Sequence, residues 1–170
     1  MANNLAFKAS SGCCAYDNNK NNVAIYGYLY NWETAKNVCP TGWHLPSDEE
    51  WTTLITNTGG VYTAGTKLKE AGIKHWAEPN TGATNQSGFT ALPGGGRQED
   101  GQFTQINMGG NWWTSDVRVM DRYGTGLSKP YYSCKVMRGD PDNGIEINSM
   151  VMSGYENKER SYSVRCIKNN

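Results

Sequence analysis

Long apolar runs are missing from this 170-residue chain. That absence excludes a membrane-spanning helix, which needs about 20 consecutive apolar residues. A charge excess is missing too: 16 Lys and Arg face 16 Asp and Glu. No basic field therefore calls for nucleic acid or an anionic membrane. None of the five cysteines, Cys13, Cys14, Cys39, Cys134 and Cys166, stands in a Cys-x-x-Cys pair. A zinc knuckle and a thioredoxin-type site are excluded on that ground. No serine is flanked as in a nucleophile elbow, and there is no Gly-x-Gly-x-x-Gly run. The first ten residues lack the apolar core of a signal peptide. If the protein is exported, the expectation is that its signal has been removed.

What is present is polar without being charged. Charged residues make up only 19%, yet mean hydropathy is −0.68. Asn, Ser, Thr, Gly and Tyr supply the polarity. Such a composition suits a loop-rich surface that recognises ligands by hydrogen bonds and aromatic contact. The length suffices for one well-buried domain, expected to span 1–170.

Residues 30–54 are the most informative stretch. Trp32, Ala35 and Cys39 lie three and four apart and share one face of a short helix. Pro40 and Gly42 stop it. Ser47 and Glu50 form a capping box for a second helix, and Trp51, Leu54 and Ile55 form its buried stripe. Further strands are expected at Leu5-Ala6-Phe7 and over 23–28, and a helical turn within 66–72. A short apolar piece, 89–92, precedes a sharp turn at Pro93-Gly94-Gly95-Gly96. Gly101-Gln102-Phe103 opens an extended piece, and Asn111-Trp112-Trp113-Thr114-Ser115 forms an aromatic core strand. In the last third Tyr132, Cys134 and Val136 alternate with Tyr131, Ser133 and Lys135. Ile145, Ile147 and Val151 oppose Glu146, Asn148 and Met150. Pro141-Asp142-Asn143-Gly144 is a hairpin turn signal. Tyr162, Val164 and Cys166 face inward in a final strand. The predicted fold class is α+β, two short helices followed by an antiparallel sheet meander with long loops.

The order Trp-x-x-Ala-x-x-x-Cys, then Gly-x-x-Leu and an acidic helix, resembles the opening of C-type-lectin-like domains. The longer string is Tyr26-Gly27, Tyr30-Asn31-Trp32, Ala35-Lys36, Cys39-Pro40, Gly42-Trp43-His44-Leu45-Pro46-Ser47 and Glu50-Trp51. It resembles the Fibrobacter succinogenes major paralogous domain family. Gly82 to Phe89, Ala91-Leu92-Pro93-Gly94-Gly95 and Ser161-Tyr162-Ser163-Val164-Arg165-Cys166 agree with it in order. The resemblance implies a bacterial, exported, C-type-lectin-like domain, here trimmed at its N-terminus, on the extracellular or outer surface. An anchor outside this chain would hold it peripheral to the membrane. The resemblance also implies a structural disulfide between Cys39 and Cys166, which on the chain-entropy model stabilises by about 3–5 kcal/mol. That leaves Cys13 and Cys14 without an obvious partner. Cys134 is either such a partner or a buried free thiol.

The chemical motifs are weak. Glu78-Pro79-Asn80 matches the tripeptide with which calcium-dependent lectins hold calcium and mannose, but the completing Asn-Asp pair is missing at Asn111-Trp112-Trp113. A hard cation needs six or more oxygens, so no metal is expected. Asp140, Asp142 and Asn143 before Gly144 read as a turn rather than a calcium loop. Arg138-Gly139-Asp140 is an adhesive-looking tripeptide of low specificity. His44 reads as a satisfied, half-buried imidazole and His75 as packing. Glu49-Glu50 reads as a helix start, and Glu99-Asp100 as a solvated turn.

The 42–47 corner and the 92–95 turn also resemble formylglycine-generating enzymes. Those need two nearby reactive cysteines and copper. Cys134 and Cys166 are 32 residues apart, and the disulfide claims Cys166, so catalysis is disfavoured. No cofactor is expected.

The function expected is a non-catalytic binding module for a glycan or protein ligand. The alternative is a structural module of a surface assembly. Ligand contact in this fold comes from loops and strands of the last third. The candidates are Asp116, Arg118, Tyr123, Tyr131, Arg138, Glu146, Asn148, Met150 and Tyr155. Analogy with retroelement-diversified proteins of similar fold adds the expectation of a diversified ligand display.

Overall fold

A computed structural model describes residue 1, residues 3–139 and residues 150–169. The capping box is present. Ser47 Oγ accepts from the Glu50 amide and Glu50 Oε2 accepts from the Ser47 amide. It starts helix α3 (Asp48–Asn57), which buries Trp51 and Ile55. Leu54 is only half-buried. The earlier helix α2 (Trp32–Ala35) is a single turn whose N-cap Asn31 accepts from the Thr34 amide at 3.0 Å. Trp32 and Ala35 are buried as the spacing requires, while Cys39 falls beyond the helix. Two further helices are α1 (Val23–Tyr26) and α4 (Ala64–Leu68).

The strands are β1 (Cys13–Cys14), β2 (Leu29–Asn31), β3 (Trp43–His44), β4 (Gly94–Arg97) and β5 (Phe103–Ile106). They continue with β6 (Gly109–Met120), β7 (Lys129–Arg138), β8 (Met152–Glu156), β9 (Ser161–Ser163) and β10 (Ile167–Lys168). Among the described residues the main sheet runs β1-β2-β9-β4-β6-β7-β8, with β5 added on β4, and β3 pairs with β10 separately. The molecule is thus mostly sheet with a few short helices. Most pairs are antiparallel, but β4 and β9 each meet β6 in parallel.

The sheet is therefore not the simple meander that alternation predicts. Only β6-β7-β8 keeps meander order, because the late strand β9 returns to lie between β2 and β4. Residues 23–28 form α1 and then lead into β2, not one strand. Residues 5–7 form no strand: among the described residues the Leu5 amide donates to Val164 O, and Leu5 O accepts from the Tyr28 amide, while the Tyr30 hydroxyl reaches Leu5 O and Phe7 O. The 141–144 turn and residues 145–148 lie outside the described residues.

The chain does turn tightly at Pro93, where the Gly94 amide donates to Leu92 O at 2.9 Å, but Gly94-Gly95-Gly96 do not continue the turn and instead open the buried strand β4. Its glycines permit close approach. A Cβ on Gly96 would come within 2.6 Å of the Tyr162 ring, and one on Gly110 within 2.2 Å of the Trp112 ring. Two aromatic rings lie against bare backbone there, which no other residue type allows.

Both faces of the sheet are covered. Trp112 and Trp113, adjacent on β6, are both fully buried and enter different clusters. Trp113 joins Tyr30, Trp32, Leu45, Cys134, Val136, Tyr162 and Val164. Trp112 joins Trp51, Ile55, Leu68, Trp76 and Met137 beneath α3 and α4. Each tryptophan removes about 150–250 Å² from water, and apolar area contributes about 25 cal/mol per Å². Both indoles are also satisfied: Trp112 Nε1 donates to Asn4 Oδ1 at 2.9 Å and Trp113 Nε1 to Tyr30 O at 2.7 Å.

Cys39 and Cys166 form the disulfide, at a separation of 127 residues. Cys13 and Cys14 are free and half-buried, and Cys134 is a free thiol with no exposure. Burial, with the Glu156 carboxylate adding to it, pushes the Cys134 thiol up to about 12.

Candidate functional site

The strands β6 and β7 form one long ribbon that changes character along its length. Residues 109–114 of β6 are buried, and 117–119 are exposed. The register shifts between Trp113 and Val117, where the ribbon leaves the core. Beyond it Val117 pairs with Tyr132, Arg118 with Tyr131 and Val119 with Pro130. Alternation puts Val117, Val119, Pro130 and Tyr132 on one face and Arg118 and Tyr131 on the other.

At the tip, Asp121 accepts from the Thr125 and Gly126 amides and holds the 121–126 loop. The Thr125 amide, helped by the Gly126 amide and the Thr125 hydroxyl, outweighs the upward push of desolvation and keeps the Asp121 carboxyl below its ordinary value. Tyr123 stands out from this loop, 75% exposed.

Beside the ribbon lies a groove of about 540 Å³. Tyr123, Tyr131 and Tyr132 line it together with Arg122, Lys129 and Pro130. Its far wall comes from elsewhere in the chain: Glu99, then Glu156, Asn157, Lys158 and Arg160. Arg160 Nη1 lies 3.1 Å from Glu156 Oε2, and its Nη2 lies 3.9 Å from Glu99 Oε1. Asn157 Nδ2 donates to Glu99 Oε2 at 2.6 Å. Arg122 lies over the Tyr131 ring, donates to Tyr155 O and approaches Glu156 Oε2 at 3.9 Å. Tyr132 is fixed from behind by Trp32, ring to ring at 4.5 Å. The walls are thus positioned before any ligand arrives.

The sequence candidates separate on this frame. Tyr123 and Tyr131 line the groove. Arg118 and Tyr155 stack on each other at 5.3 Å outside its lining. Asp116 is engaged structurally, its Oδ2 accepting from the Asp48 amide at 2.6 Å at the start of α3. The Arg138 carbonyl accepts from Lys69 Nζ at 2.9 Å. Met150 is half-buried, and Glu146 and Asn148 lie outside the described residues.

The sequence reading missed Glu99, Arg122, Lys129, Glu156 and Arg160. Glu99 had the signature of a solvated turn. Only the pairing of β4 with β9, Arg97 opposite Ser161, brings it to Arg160. The alternation reading of β7 also fails in part. Ser133 and Lys135 are buried like their neighbours, because Asp48 meets both, at 2.8 Å from Ser133 Oγ and 2.9 Å from Lys135 Nζ.

Other polar groups serve the frame. His44 bridges Asn169 at 2.7 Å and Glu50 at 2.8 Å. The Asn169 hydrogen bond, then that of Glu50, holds its imidazolium above the usual range. His75 pairs with Glu70 at 2.9 Å and meets the Tyr26 ring edge-on. Asn80 of the Glu-Pro-Asn tripeptide donates to Glu70 O and Gly72 O, both at 2.8 Å. Arg165 is buried over the Phe89 ring at 3.9 Å, and desolvation lowers it to about 10. Among the described residues no group of three or more His, Cys, Asp or Glu is placed to hold a metal ion.

Fold and groove together define a mixed α/β protein, mostly sheet, with an aromatic and charged cleft beside a projecting ribbon. The chain belongs to the Fibrobacter succinogenes major domain family, whose model matches residues 3–168. No curated protein and no solved structure matches it significantly.

Proposed function

We propose that this protein is a non-catalytic, C-type-lectin-like binding module of the bacterial exterior, taking a glycan or protein ligand in the groove beside the β6–β7 ribbon. The observation that carries this is the groove itself: about 540 Å³, lined by three tyrosines and by charged side chains of which Arg122, Arg160, Glu99 and Glu156 are already paired to one another. Volumes of this order suit small ligands or a few sugar units. Tyrosine rings offer rigid contact area at low entropic cost. The Cys39–Cys166 disulfide supports an oxidising compartment.

A glycan array and a pull-down from bacterial and host surface extracts test this reading. The double variant Tyr123→Ala/Lys129→Ala should abolish capture, while Arg118→Ala/Tyr155→Ala should leave it. The reverse pattern would move the site to the stacked face. Silence of the wild type in both assays would overturn the binding role.

The exposed apolar side chains Val117, Val119 and Leu127 favour a second reading, a structural module of a surface assembly. In that case purified protein would self-associate and Val119→Ser would disperse it.

A further inference from the structure

The groove is not neutral, although the chain is. Its lining carries the cations Arg122, Lys129, Lys158 and Arg160 against the two anions Glu99 and Glu156, a local excess of two positive charges. Both carboxylates are occupied. Glu156 is shared by Arg160 and Arg122, and Glu99 by Asn157 and Arg160. Lys158 leans on Glu33 at 3.5 Å. Lys129 forms no ion pair among the described residues, and it is exposed in the lining to which Arg122 also belongs. A cation left unmatched beside a preset charge network attracts an anion.

The rest of the lining says which anion. Pro130 is the one aliphatic side chain among the lining residues, and the rest of the apolar surface comes from the tyrosine rings and the stems of the charged side chains. Tyr123 presents an open ring face, 75% exposed, within reach of the same groove. Rings with polar tips suit a partner having an apolar face and a hydroxylated rim. Asn157 and the paired glutamates and arginines offer donors and acceptors for that rim. Resting on the binding role proposed above, we infer that the groove selects an acidic oligosaccharide, a chain of uronic acid residues. Its carboxylate is met by Lys129 and Arg122, and its sugar face rests on Tyr123.

The test is calorimetric titration of the whole chain with three probes: a galacturonic acid tetramer, the neutral galactose tetramer and tetraglutamate. The acidic sugar should bind, and binding should weaken steeply as salt shortens the screening length from about 10 Å at 0.1 M to about 3 Å at 1 M. Lys129→Ala should weaken it about fivefold or more, in line with a charge-assisted contact, and Lys129→Arg should restore it. Tyr123→Ala should weaken the sugar while leaving the unfolding temperature unchanged. Equal binding of the neutral tetramer, lost in Tyr123→Ala, would overturn the acidic class and leave the groove's binding role standing. Equal binding of tetraglutamate would overturn the sugar in favour of an acidic peptide. No binding of the uronic tetramer at millimolar concentration would overturn the inference. The binding role itself would fall only with silent array and pull-down assays.

Discussion

The two halves of the β6–β7 ribbon lie on the same pair of antiparallel strands, yet they do opposite things. Around Trp112, Trp113, Cys134 and Met137 every side chain is enclosed, on both faces. Around Val119, Tyr123 and Leu127 nearly every side chain meets water, with exposures of 66–75%. The difference lies in what covers the sheet. The inner half has α3 and α4 on one face and α2 on the other, and a disulfide that ties the α2 end to the last strands. Among the described residues the outer half has the groove wall alone. The comparison teaches that stability and recognition are placed on one pair of strands but in separate lengths of it, so each can be altered alone.

Breaking the inner half should cost most. Trp113→Ala removes a fully buried ring and its hydrogen bond to Tyr30 O. A loss of about 3–5 kcal/mol is expected from denaturant unfolding. Replacing Cys39 and Cys166 by Ser opens the 127-residue loop. It should cost about 2–5 kcal/mol, read in the same assay with and without reductant, reductant having no further effect on the double variant.

Smaller effects belong to the helix that roofs the inner half. Ser47→Ala removes one arm of the capping box. About 1 kcal/mol should be lost.

The His44–Glu50 pair should give stability a pH window. The folded imidazole is raised by Asn169 and Glu50. Its contribution is therefore complete below the ordinary histidine value of 6.5 and fades as pH rises through the higher folded value. Burial pushes Glu50 up, but the Ser47 amide and His44 outweigh it, so it lies below 4.5. Its contribution is present above that value and fades as pH falls through the lower folded one. Because His44 is 42% exposed, the pair is worth about 0.2–1 kcal/mol. His44→Ala should flatten this part of the stability–pH curve.

In the outer half, Tyr123→Ala should change stability by less than about 0.5 kcal/mol, while groove binding is lost. A large stability loss from that variant would erase the contrast between the halves.

Much of the inner half was legible in the chain. The capping box at Ser47 and Glu50, the stripe of Trp51 and Ile55, and the buried Trp112-Trp113 strand depend on neighbours within a few residues, which local spacing encodes directly. The groove was legible only as a region. Tyr123 and Tyr131 stood out as aromatic residues on an exposed stretch, but Glu99 carried the marks of an ordinary turn. Lys135 and Ser133 read as solvent-facing, because alternation describes a sheet with one wet face, and the inner half of this sheet has two dry ones.

By itself the amino-acid order determined the start of α3, the family, and through that family the pairing of residues 39 and 166. Tertiary structure alone decided that β9 slots between β2 and β4, that glycines 94–96 make a strand, and that Glu99 faces Arg160. Periodicity reports which side of an element is apolar. It carries no information about which distant element arrives to cover that side, and the groove's walls are made of such arrivals.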